Sequence, residues 1–62
     1  MEELTVRQKN HIIDAVNRRL TPEEAGLCTP AQLEYYRIIY AEAQSLLRRG
    51  GVWPVFELWE LE

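Results

Sequence analysis

The sequence predicts an all-α fold: a small helical hairpin or three-helix bundle carrying an aromatic C-terminal arm. Three observations predict it. Thr5-Val6-Arg7-Gln8, Thr21-Pro22-Glu23-Glu24 and Thr29-Pro30-Ala31-Gln32 each match a helix start in which Thr and Glu or Gln cap each other's backbone N–H groups. Apolar residues recur at three- and four-residue spacing after the first and third of these starts. Glycines stand at Gly26 and Gly50-Gly51, where helical segments are expected to stop.

The first long helix is expected over about residues 5–20. Ile12, Ile13, Val16 and Leu20 form one stripe, extended backwards by Val6. Asp14 and Arg18 make an i, i+4 pair in the favourable order. Residues 21–26 read as a short helical corner ended by Gly26. In both later starts Pro occupies the first helical position, where a missing N–H costs nothing. Cys28 and Leu33 are spaced as a hydrophobic staple.

The main helix is expected over about residues 30–49, a length of about 30 Å. Leu33, Tyr36, Ile39, Tyr40, Ala43, Leu46 and Leu47 make a broad stripe that Tyr35 and Ile38 widen. The first helix is too short to cover it all, so something else must lie on it. The segment Val52-Trp53-Pro54-Val55-Phe56-Glu57-Leu58-Trp59-Glu60-Leu61-Glu62 holds both Trp and the only Phe. As a helix it places Val55, Leu58 and Trp59 on one side, with Glu57 and Glu60 in water. As a strand its alternation is broken, because Val55 then shares a face with Glu57. The expectation is a short helix or irregular arm folded back onto the main helix. Leu61-Glu62 also reads as a candidate cloning remnant.

Composition bounds the function classes. Sixty-two residues suffice for one domain, 1–62, and domains of this size are marginal unless helped by tight packing or oligomerisation. The 47% hydrophobic content is too high for a disordered chain. One Cys excludes an internal disulfide and suits a reducing compartment, and the acidic opening Met1-Glu2-Glu3-Leu4 does not read as a signal peptide. No apolar run is long enough to span a membrane, so a cytoplasmic location is expected. Arg7, Lys9, Arg18 and Arg19 against Glu2, Glu3 and Asp14 leave residues 1–20 at +1, whereas three Arg against seven Glu leave residues 21–62 at −4. The net charge of −3 disfavours nucleic acid as the main partner.

Candidate chemistry is sparse. Cys28 and His11 are the only thiol and imidazole, and a nucleophilic pair needs them in contact with a third, orienting group. His11 and Asp14, an i, i+3 pair, supply two metal ligands where a tight site wants three or four, and Glu42 is expected to face water. Arg18-Arg19 and Arg48-Arg49 fall in last helical turns, where positive charge complements the helix dipole without any ligand. The helix–corner–helix order resembles a helix–turn–helix only in outline, since Ala31, Gln32, Glu34 and Tyr35 would offer one ordinary base reader and one carboxylate repelling phosphate.

These readings predict neither an enzyme nor a cofactor or metal site. They predict a small protein-interaction or regulatory module that pairs with itself as a homodimer or with another protein. Its expected contact residues are Tyr35, Ile38, Trp53, Phe56 and Trp59, because aromatic-rich amphipathic segments suit hydrophobic grooves and Trp is enriched at binding hot spots. The alternative expectation is a nucleic-acid-associated regulator using Arg7, Lys9, Arg18 and Arg19.

Overall fold

The structure, a computed structural model, describes residues 3–60. It contains two helices, α1 over Val6–Asn17 and α2 over Pro30–Gly50, and no strand among the described residues. The all-helical expectation holds, and the three-helix bundle does not. All three capping boxes form. The Thr5, Thr21 and Thr29 hydroxyls accept from the N–H groups of Gln8, Glu24 and Gln32 at 3.1, 3.1 and 3.2 Å, and those side chains accept in return from the three Thr N–H groups.

The middle box caps a single turn. Ala25 N–H donates to the Thr21 carbonyl, and Leu27 and Gly26 N–H groups close the turn on Pro22 and Glu23 with Gly26 at φ 74. This is a Schellman closure arriving one turn after the cap, so no helix length remains between start and stop. Leu27 and Ala25 bury their side chains from that turn. The corner therefore acts as a pinned bend.

Helix α1 ends three residues before the expected Leu20 for the same kind of reason. Arg19 takes the left-handed conformation at φ 58, Leu20 N–H donates to Ala15 and Arg19 N–H to Val16. A left-handed residue stops an α-helix, and here the position is filled by Arg where Gly is usual. At the other end of the chain Gly51 fills this role for α2 at φ 75.

Ile12, Ala15, Val16, Ala25, Leu27, Tyr36 and Ala43 form the buried cluster, with Leu4, Leu20, Tyr35, Ile39, Tyr40, Trp53 and Phe56 packed around it. Ile12 and Val16 are fully buried, each contributing about 1.5–3 kcal/mol by removal from water. Tyr36 ties the two halves together, its hydroxyl donating to the Leu20 carbonyl at 2.6 Å. Cys28 and Leu33, the expected staple, are both exposed, so the two side chains bury little. No helix of the described residues is long and apolar enough to cross a membrane. The reading of Leu61-Glu62 as a remnant lies outside the described residues.

Candidate interaction site

Residues 52–60 form an arm with neither helical nor strand pairing. It runs back along α1, from Trp53 beside Val16 and Arg19 to Trp59 beside Asn10 and Lys9. Two asparagines hold its main chain. Asn17 Nδ2 donates to the Phe56 carbonyl at 3.0 Å, and Phe56 N–H donates to Asn17 Oδ1 at 2.9 Å. Asn10 repeats the exchange with Trp59, at 3.0 Å to its carbonyl and 2.7 Å from its N–H. Each side-chain amide thus supplies one donor and one acceptor, as a neighbouring strand would.

The spacing explains the conformation. Asn10 and Asn17 lie two helical turns apart on one face of α1, about 10.5 Å at helical rise. Three residues of extended chain cover about 10 Å, whereas three helical residues cover about 4.5 Å. An arm that meets both asparagines three residues apart must therefore be extended. The helical alternative for the arm is excluded, since the Phe56 and Trp59 N–H groups are spent on asparagine oxygens and Pro54 disfavours helical backbone at Trp53. Main-chain partners that belong to a helix's side chains leave no ladder, so the arm is not a strand either.

Aromatic side chains anchor these two positions and a third, Trp53. Trp53 Nε1–H donates to the Val16 carbonyl at 2.9 Å, and its ring meets Tyr40 edge-on with centroids 5.2 Å apart. Phe56 is half-buried against the core. Trp59 Nε1–H donates to the Tyr35 hydroxyl at 3.3 Å. Cations cover both indoles: Arg19 lies 4.5 Å from the Trp53 ring centroid and Lys9 lies 4.7 Å from that of Trp59. Such contacts contribute about 0.5–1 kcal/mol each at exposed sites. The arm thus has a three-residue period, with Trp53, Phe56 and Trp59 as its anchored row; Trp53 and Phe56 are half-buried, and Trp59, held by its hydrogen bonds, is 52% exposed. The next row, Val52, Val55 and Leu58, is 71%, 79% and 53% exposed. Glu57 and Glu60 are exposed as well.

Of the five expected contact residues, the structure brings together Tyr35, Trp53, Phe56 and Trp59 within the chain. Ile38 stands apart on α2, 55% exposed. In the basic set, Lys9 and Arg19 lie over the indoles, Arg18 pairs with Asp14 at 3.2 Å, and Arg7 is exposed. The sequence reading missed Asn10 and Asn17. The available signal was two asparagines seven residues apart on one helix and three aromatics at i, i+3 and i+6.

The remaining polar groups are placed as follows. His11 Nε2–H donates to the Ala25 carbonyl at 2.5 Å and so ties the corner to α1. Cys28, which is exposed, and half-buried Thr29 both donate backbone N–H groups to Gln32 Oε1. Arg37 pairs with Glu34 at 2.7 Å. Among the described residues no three His, Cys, Asp or Glu side chains gather as metal ligands. No family model matches the chain, and no curated protein or solved structure is significantly similar to it.

Proposed function

We propose that this protein is a small non-enzymatic protein-interaction module that presents the outer row of its C-terminal arm to a protein partner. One observation carries the reading: Val52, Val55 and Leu58 form an exposed apolar row on a segment whose other row is fastened to the helices. Exposed apolar residues scattered singly need no explanation, but a row on an anchored, extended segment is a preformed contact surface. Anchoring matters energetically, because a segment already ordered loses less entropy on binding. The polar groups support the same reading. His11 spends its Nε2 proton on a backbone carbonyl, and Asp14 and Glu34 pair with arginines on their own helices.

The test uses Val55, the most exposed of the row. A photo-reactive phenylalanine analogue placed at position 55 should give discrete covalent adducts in living cells, with a second copy or with another protein. Val55→Asp with Leu58→Asp should abolish those associations while leaving helix content unchanged. No adduct from position 55, whatever the oligomeric mass, would refute the reading.

A further inference from the structure

The contacts that hold the arm do not require it to belong to the same chain. Asn10 and Asn17 read main-chain groups of Phe56 and Trp59, and Val16 and Tyr35 accept from the two indoles. A second copy carries the identical segment and can make every one of these contacts. The geometry points to reciprocal arm exchange, in which residues 52–60 of one copy seat between α1 and α2 of another.

Two features beyond the groove itself support this. First, one residue sets the arm's direction. Gly51 sits at φ 75, where it ends α2 and turns the chain back along α1. Glycine occupies left- and right-handed backbone with similar ease, so a change at Gly51 to helical angles continues α2 and carries the arm away from its own groove. A side chain at Gly50 or Gly51 would project into open space. Second, the released arm breaks no helix or strand ladder, because its backbone partners are side-chain amides. Exchange of an identical element then replaces each lost contact with its equal, which makes it a low-cost route to a dimer.

The occupant is a second copy because the groove's demands are specific and the arm meets each of them. It needs aromatics at three-residue spacing to match Val16, Tyr35 and Tyr40, and indoles under Lys9 and Arg19. Trp53, Phe56 and Trp59 have that spacing in every copy. This inference uses the anchored row, whereas the proposed function uses the outer one. Val55→Asp with Leu58→Asp leaves the asparagine contacts untouched, so the two can fail separately.

The decisive experiment is complementation between two full-length variants. One carries Phe56→Ala and Trp59→Ala, which weakens its arm and frees its groove. The other carries Asn10→Ala and Asn17→Ala, which weakens its groove and frees its arm. Each alone should run at monomer mass by light scattering, and an equimolar mixture should give a one-to-one complex of twice that mass. A labelled peptide of residues 52–62 should bind the arm-weakened chain, and about tenfold or more weakly once Asn10 and Asn17 are also replaced. Gly51→Ala in the otherwise native chain penalises the left-handed turn and should raise the dimer fraction about fivefold or more. A mixture that stays monomeric overturns the exchange, and peptide binding without a mixed dimer does so too, because it shows a groove open to free segments only. If the arm-weakened chain does not fold, Gly51→Ala decides alone, and an unchanged monomer mass overturns the inference.

Discussion

Asn17 and Phe56, 39 positions apart, exchange two hydrogen bonds at 3.0 and 2.9 Å, and this pair fixes the arm more firmly than any other main-chain contact. Both bonds are partly buried, whereas the matching pair between Asn10 and Trp59 is exposed. A net intramolecular hydrogen bond is worth about 0.5–1.5 kcal/mol, and a partner left buried without water costs more. Asn17→Ala should therefore destabilise the protein by about 1–3 kcal/mol, and Asn10→Ala by less. Thermal unfolding of the two variants checks the order. Equal losses would mean that water replaces both asparagines alike.

The Arg19 position concentrates two opposing effects. Its left-handed backbone at φ 58 costs about 1–2 kcal/mol for a residue with a Cβ, and its guanidinium covers the Trp53 ring. Arg19→Ala keeps the strain and loses the cation, so it should destabilise by about 0.5–1 kcal/mol. Arg19→Gly loses the cation but relieves the strain, and should be about 1 kcal/mol more stable than the Ala variant. Chemical denaturation of the pair isolates the backbone effect. An Ala variant as stable as the Gly variant would show that the turn is not strained.

Val16 and Trp53 join the arm to the same helix end. The Val16 carbonyl accepts both the Arg19 N–H of the helix closure and the Trp53 indole N–H. Trp53→Phe keeps an aromatic ring against Tyr40 but removes the second of these bonds. It should cost about 1 kcal/mol and expose the arm's start to proteolysis, with α1 still closed by Arg19. Limited proteolysis followed by mass measurement reads this directly, since cleavage would move to the stretch just after Gly51.

The helix starts were legible because their signal is local. Each Thr and the Glu or Gln three residues later are close in sequence and meet in space, as Thr5 and Gln8 do. The stop of α1 was not legible, since Arg19 carries no mark of a left-handed residue and only the packing of Trp53 accounts for the guanidinium's position. The arm was half legible. Its aromatic content announced a docked segment, but its conformation depends on Asn10 and Asn17, which on a helix read as ordinary polar surface. A three-residue period is also invisible to a search for helical or strand spacing. Tyr35 is expected as a contact residue on the flank of the main helix's stripe, and its hydroxyl receives the Trp59 indole N–H of the same chain, a contact set by the arm's direction after Gly51.

Tyr36 makes stability sensitive to high pH. Burial raises its pKa above the ordinary 10.0, and the neighbouring Tyr40 and Glu24 push it further in the same direction. The neutral phenol is the form that donates to the Leu20 carbonyl. A raised folded pKa means the unfolded chain ionises first, so the contribution is complete below 10.0 and is lost as pH rises through the folded value. Tyr36→Phe removes both the hydrogen bond and the ionisation, while keeping the ring that stacks on Tyr40 with centroids 5.4 Å apart. At neutral pH the wild type should be about 1 kcal/mol more stable than this variant. That advantage should shrink above pH 10.0, where ionising the wild-type phenol favours the unfolded chain. Urea unfolding of both proteins across the alkaline range measures the difference. A stability gap that stays constant with pH would show that Tyr36 does not couple folding to its proton.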